Sequence, residues 1–341
     1  MTNSEQPAGP GGPLLELDGV KQHYPLPRRM PFAPRKSVRA LDGVDLTVRG
    51  GETLGVIGES GCGKSTLARV IAGLDRPTEG RVLFRGQDIN ALRGAERKEM
   101  RRNIQLIFQD PFSALNPRKK VGELVAEPFR IHRNLLPSGR RRAKVAELME
   151  LVGLKPEHMN RYPHQFSGGQ QQRIGIARGI ALNPDLLVCD EAVSALDVSV
   201  RAQIVNLLQD LQRELDLSFV FIAHDLQIVR HMADRVATMY LGRVVELGDY
   251  SDVYDTTGHP YTKALLAAAP ELRGGPADRE RIILTGDPPS PIDPPSGCRF
   301  RSRCWMAEDI CREREPELVE LAGAHVSRCH FADTLIDRPS L

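Results

Sequence analysis

One octapeptide, Gly58-Glu59-Ser60-Gly61-Cys62-Gly63-Lys64-Ser65, constrains this chain more than any other feature. It matches the pattern G-x-x-x-x-G-K-[ST] and stands between a short apolar run, Thr53–Ile57, and a helical pattern over Thr66–Gly73. Its glycines let successive backbone N–H groups turn inward around an anion. The start of the following helix adds partial positive charge. The expected ligand is a nucleotide phosphate, with the Lys64 ammonium facing the phosphates and the Ser65 hydroxyl on Mg²⁺. A strand, a glycine loop and a helix in that order also imply an α/β fold with a mostly parallel sheet.

The rest of the chain agrees with that fold. Leu186–Cys189 and Ser218–Ala223 are compact apolar runs, expected as buried strands. Between them, Val200–Asp216 carries Val200, Ile204, Leu207, Leu208, Leu211 and Leu215 at helical spacing. Leu14–Val20 and Val38–Val48 alternate as half-buried strands do, with an exposed Pro- and Arg-rich loop, Pro25–Lys36, expected between them. Residues 1–13 are polar and rich in Gly and Pro, expected as a disordered tail.

Charge and hydropathy exclude several classes. With 46 Lys+Arg against 44 Asp+Glu the net charge is only +2, which disfavours nucleic acid as partner. No stretch is apolar enough to span a bilayer, and the first residues, with neither a basic nor an apolar run, are not expected to be a signal peptide. A soluble cytoplasmic protein is expected, reaching a membrane only through partners.

Leu186-Leu187-Val188-Cys189-Asp190-Glu191 is an apolar strand ending in two carboxylates. Asp190 is placed to reach Mg²⁺ and Glu191 to polarise an attacking water. Phe166-Ser167-Gly168-Gly169-Gln170 opens a helix with Ser167 as N-cap, forming a second anion cradle.

In this order the motifs resemble those of the ATP-binding cassette family. Tyr24 resembles its adenine-stacking aromatic, Gln109 its Q-loop glutamine and a possible Mg²⁺ ligand, and Ser167–Gln170 its signature. Ser194-Ala195-Leu196-Asp197 resembles the D-loop, Asp197 included among the nucleotide contacts, and His224 the switch histidine. Gly58, Ser60, Gly61, Cys62, Gly63, Lys64, Ser65 and Thr66 are the implied phosphate contacts. Lys64, Gln109, Glu191 and His224 are the implied catalytic set. Phe166, Ala192 and Gln171 stand where Leu, Pro and Arg are usual.

Gln109 to Arg118, Val121-Gly122-Glu123 and His259 to Leu266 are similar to the ATPase subunits of dipeptide and oligopeptide importers, closer to the F-type than the D-type. The resemblance implies a phosphate-loop ATPase with an antiparallel β subdomain, a helical signature subdomain and a small Cys-containing C-terminal extension. The expected boundaries are 14–255 for the nucleotide-binding domain, with the helical part at about 110–180, then 256–297 for a helix and linker, and 298–341 for a Cys-rich module. Implied partners are a second ATPase subunit of the D type closing head to tail, two membrane permeases and an extracytoplasmic binding protein, with the chain on the cytoplasmic face of the membrane. Nickel, glutathione, an opine or a sugar remain alternative cargoes.

The linker holds seven prolines between Pro270 and Pro295. Beyond it Cys298, Cys304, Cys311 and Cys329 are spaced C-x5-C-x6-C-x17-C. Clustered thiols favour a soft metal over a disulfide, and the missing C-x2-C pairs disfavour zinc. The resemblance tips the choice to a [4Fe–4S] cluster; unligated thiols remain the alternative. His325 and His330 are alternative ligands or, more simply, surface histidines. Far in sequence from the phosphate loop, this module is expected to be structural only. A DNA-repair or chromosome ATPase would insert coiled coils between loop and signature, yet Ser167 follows Lys64 by 103 positions without sustained heptads. A translation-associated cassette would carry two phosphate loops, and here there is one.

Overall fold

The N-terminal alternation forms two long antiparallel strands, β1 (Leu15–Pro25) and β2 (Ser37–Val48), in a computed structural model that describes residues 12–27, 35–110, 114–194, 196–268, 282, 284–321 and 323–337. Most of the tail, the middle of the Pro- and Arg-rich loop, Pro111–Ser113, Ala195 and much of the Pro-rich linker lie outside the described residues. β1 runs on to Pro25, beyond the alternation at Leu14–Val20, so Tyr24 sits near its end.

After β3 (Thr53–Ile57), two more strands, β4 (Glu79–Phe84) and β5 (Gln87–Asp88), complete a four-stranded sheet of order β2-β1-β4-β5. The second sheet holds β6 (Ile104–Ile107), β7 (Leu186–Asp190), β8 (Ser218–Ile222), β9 (Arg235–Tyr240) and β10 (Arg243–Asp249). Two short strands, β11 (Val319–Glu320) and β12 (Val326–Ser327), extend it. Its order is β11-β12-β10-β9-β3-β8-β7-β6, parallel from β9 to β6 and antiparallel at the other end.

Why the central strands read as unbroken apolar runs is now plain. In β7, Leu186 and Val188 enter the core shared with the four-stranded sheet, while Leu187 and Cys189 enter the core under the helices. In β8, Val220 and Ile222 face one way and Phe219 and Phe221 the other. A strand covered on both faces has no polar face to show. The helices Arg141–Leu151 and Gly168–Ile180 pack with Val121–Val125 into a helical lobe that carries the signature at its edge.

The C-terminal segment is not detached from this body. β12 pairs with β10, and the rings of Tyr240, Tyr261 and Phe300 pack together with centroids 4.7–5.4 Å apart. His325 is buried, not a surface residue; its Nε2 lies 2.9 Å from a Glu246 carboxylate that is itself fully buried. The short polar β11 and β12 gave the sequence no strand signal, because their place is set by the free edge of β10.

One carboxylate ties these layers together. Asp42 of β2 meets His23 of β1 at 2.9 Å, Arg243 of β10 at 3.8 Å, Arg39 at 3.9 Å, and Arg299 from the C-terminal segment. Burial alone would raise the Asp42 carboxyl, but Arg299, His23 and Arg243 outweigh it and hold it below the usual carboxylate range. A depressed folded-state value means that this stabilisation is present at neutral pH and is lost as pH falls through the acid range. Asp42→Asn is therefore expected to cost roughly 1–3 kcal/mol at pH 7, as loss of a charged hydrogen-bond partner does. In denaturant titrations the gap to the parent should shrink below about pH 4; a pH-independent gap would contradict this role.

Candidate nucleotide site

The site lies at the C-terminal ends of β3, β7 and β8, where an open α/β sheet places its ligands. The loop Gly58–Ser65 leaves β3 and enters the helix Lys64–Ile71. Gly58, Gly61 and Gly63 all have positive φ, at 150°, 80° and 113°. At Gly58 a Cβ would meet the Met239 carbonyl at 2.3 Å, and at Gly63 the Ala40 carbonyl at 2.3 Å. The loop is thus pressed against β9 at Gly58 and against β2 at Gly63, with no room for a side chain at either position. Ser60, Gly61 and Ser65 remain open to solvent, and Cys62 is buried beneath them.

Lys64 is buried, and its Nζ donates to the carbonyls of Gly58 at 2.7 Å and Glu59 at 2.9 Å. Its ammonium therefore sits inside the curl of its own loop, 4.0 Å from Glu191 Oε1. Ser65 Oγ donates to Asp190 Oδ1 at 3.1 Å. Burial pushes the Asp190 carboxyl up; the Ser65 hydroxyl counters this, and the neighbouring Glu191 adds to it. A hard cation on these two oxygens would relieve that cost, so the donor set fits Mg²⁺.

Glu191 adopts φ +47°, a left-handed conformation unusual for a side chain with a Cβ. Its N–H donates to the Ile222 carbonyl at 3.0 Å, and its carbonyl accepts from Ser194 N at 3.0 Å and Ser194 Oγ at 2.9 Å. These bonds turn the carboxylate out of line with β7. Gln109 Nε2 then donates to Glu191 Oε2 at 2.7 Å, and His224 Nδ1 lies 3.7 Å from the same oxygen. Lys64, Gln109 and His224, up to 160 residues apart, so converge on one carboxylate.

Tyr24 is partly exposed beside this helix, donating to Asp75 Oδ2 at 2.8 Å and lying within bonding reach of Thr66. The signature stands apart. Ser167 caps its helix with a reciprocal pair of bonds to Gln170, at 3.4 and 3.1 Å, and is exposed. Among the described residues no hydrogen bond or ion pair joins 167–170 to the phosphate loop. Asp197 begins the helix Val198–Leu215 and is exposed, without a side-chain cap bond. Gln171, buried, donates to the carbonyls of Pro163 and Phe166 and so fixes the approach to the signature.

Arg201 was not singled out by sequence. It donates to Asp225, next to His224, at 2.9 Å, and to the carbonyls of Ser194 and Leu196, so it links the D-loop to the switch segment. Its only sequence signal is a cation four positions after Asp197.

Cys298, Cys304, Cys311 and Cys329 line one small cavity, together with His330 but not His325. Burial pushes the Cys304 and Cys329 thiols up to about 12 and raises Cys298 as well. The thiols face a shared space rather than meeting at a point: among the described residues no three such side chains are close enough to hold a single ion.

The ABC transporter family profile matches residues 41–194, and that of the oligopeptide/dipeptide transporter C-terminal region matches 245–311. The oligopeptide transport ATP-binding protein AppF of Bacillus subtilis is 51% identical over 93% of this chain and 97% of its own length. The chain belongs to the ATP-binding cassette transporter family. The dipeptide transport protein DppF of Escherichia coli is 50% identical, over 94% of this chain and 95% of its own. A dimeric ATP-binding cassette in a post-hydrolysis state with ADP and Pi superposes with a TM-score of 0.60 at 32% identity, covering 69% of this chain and 98% of that one. The cassette described here is accordingly an ATPase with a phosphate-loop fold. Among the described residues no helix is long and apolar enough to cross a membrane.

The two glycine contacts make separable expectations for this cassette. Gly63→Ala meets both a backbone carbonyl and a positive φ, whereas Gly61→Ala has open space and only the φ penalty. Calorimetry with Mg-ATP should show Gly63→Ala weakened by more than about tenfold and Gly61→Ala by clearly less, given roughly 1–3 kcal/mol for strain alone. Equal losses would mean that the pressing carbonyl does not shape the loop.

Proposed function

We propose that this chain is the ATP-hydrolysing subunit of an importer of dipeptides or oligopeptides, acting on separate membrane permeases from the cytoplasmic side. The observation that carries the chemistry is the convergence of Lys64, Gln109 and His224 on Glu191 beside the Ser65–Asp190 pair. The cargo reading rests on the peptide-transporter C-terminal region and on relatives named for oligopeptide and dipeptide transport. Nickel, glutathione, opines and sugars remain the competing cargoes, since no residue of an ATPase subunit touches the cargo. Identifying the binding protein that co-purifies with the complex separates these.

In this reading Tyr24 stacks on the adenine, and Gly58 to Thr66 cradle the phosphates with their N–H groups. Lys64 exchanges its two loop carbonyls for phosphate oxygens, a stronger charge-assisted pairing. Ser65, Asp190 and Gln109 would hold the Mg²⁺, which would supply positive charge to the phosphate oxygens. Glu191 takes the proton of the attacking water and His224 contacts the γ-phosphate. Ser167 to Gln170 and Asp197, with Ser167 and Asp197 exposed and, among the described residues, no hydrogen bond or ion pair from this set to their own chain's loop, serve the nucleotide of a second ATPase subunit of the D type. The cassette spans 14–255, with the helical part near 110–180, followed by the linker to 297 and the Cys-rich module. In that module Cys298, Cys304, Cys311 and Cys329, which line one cavity, would hold a [4Fe–4S] cluster: four thiols with no carboxylate among them suit iron in that form. Its contribution is to hold together a segment with little core of its own.

Two measurements check this account. Glu191→Gln should keep Mg-ATP affinity while single-turnover hydrolysis falls by about 10²–10⁴, the usual weight of a general base. Near-parental hydrolysis would remove Glu191 from that role. Anaerobically purified protein should carry about four irons per chain and lose its brown colour on Cys304→Ser. Stoichiometric zinc, or no metal, would end the iron–sulfur assignment and leave the ATPase untouched.

A further inference from the structure

A carboxylate in a phosphate cradle is an electrostatic anomaly. Glu59, the second residue of the loop, places a negative charge on a segment that must attract a polyanion. Its charge is met from the other end of the chain. Arg303 Nη1 donates to Glu59 Oε2 at 2.6 Å and Nη2 to Oε1 at 2.9 Å, a bidentate pair that occupies both oxygens. The Arg303 side chain is only 5% exposed, so the contact is built in and not a surface encounter. A second contact comes from the same side: the Glu59 backbone N–H donates to Tyr261 Oη at 2.7 Å. Tyr261 packs on Tyr240 and Phe300, and the Phe300 carbonyl accepts from Arg303 N at 2.9 Å. The loop Phe300–Cys304 that presents Arg303 also lines the cysteine cavity.

We propose that Arg303 is a positioning residue for the phosphate loop, which neutralises and pins Glu59 so that the C-terminal module sets the affinity for nucleoside triphosphate. The proposal rests on Gly58–Ser65 being the nucleotide cradle. Left unpaired, Glu59 would repel the incoming phosphates and be free to swing over the loop. The pairing also gives the remote module a physical connection to the ATP site that its sequence distance concealed.

The test is calorimetry of Mg-ATP with the full chain, with a thermal melt as a check of folding. Arg303→Ala should raise Kd by about five- to tenfold, the scale of one unit charge acting over roughly 6–8 Å at an effective dielectric of about 40. Arg303→Lys, which keeps the charge, should recover most of that loss. Glu59→Gln alone should bind Mg-ATP at least as tightly as the parent, because Arg303 is then an unpaired cation beside the loop. The double variant Arg303→Ala/Glu59→Gln should return to within about twofold of the parent. A general loss of fold would not be rescued by removing Glu59, so a double variant as weak as Arg303→Ala overturns the proposal. Unchanged affinity in Arg303→Ala overturns it too, as does weakened binding in Glu59→Gln should Arg303→Ala fail to fold. If the parent protein itself bound no Mg-ATP, the cradle reading would fall and the proposal with it.

Discussion

The phosphate loop keeps its shape because backbone carbonyls press on it where no side chain intervenes. Ala40 on β2 and Met239 on β9 stand where a Cβ of Gly63 or Gly58 would have to be. The loop is therefore moulded by both sheets at once. Positive φ at three glycines is the conformational consequence, and inward-facing N–H groups are the chemical one. The Lys64 ammonium lies inside the curl and donates to the carbonyls of Gly58 and Glu59.

The same economy governs Glu191. The last residue of β7 is Asp190, which stays on the strand axis and bonds Ser65. The next residue must turn sharply to face Lys64, and its left-handed backbone is held by Ile222 of β8 and by Ser194. Two adjacent carboxylates thereby acquire different surroundings: one is buried against a hydroxyl, the other held among a lysine, a glutamine and a histidine. Arg201 carries this arrangement outward, bonding Asp225 beside His224 and the carbonyls of Ser194 and Leu196, so the segments after β7 and β8 share one cation.

The C-terminal segment reaches the site through charge and through aromatic packing. Arg299 joins Asp42, Arg303 joins Glu59, and Tyr261 reaches the backbone of the loop. Both arginines lie in the stretch between Cys298 and Cys304. Whatever orders that stretch also orders the outer wall of the phosphate loop.

Much of this was legible in the residues themselves. The glycine loop, the apolar strands ending at Asp190-Glu191 and His224, and the capped signature helix follow from local spacing and backbone chemistry, which act over a few positions. The four cysteines were legible as a cluster, and the cavity brings them together. Tertiary structure decided what depends on contacts across the chain: the pairing of β12 with β10, the burial of His325 against Glu246, and the roles of Arg201, Arg299 and Arg303. A lone arginine has the same composition and local pattern whether it lies on the surface or closes an ion pair with a residue 244 positions away. Only folding brings the two charges within 3 Å, and so only the folded chain distinguishes a solvated cation from one paired with a residue of the glycine loop.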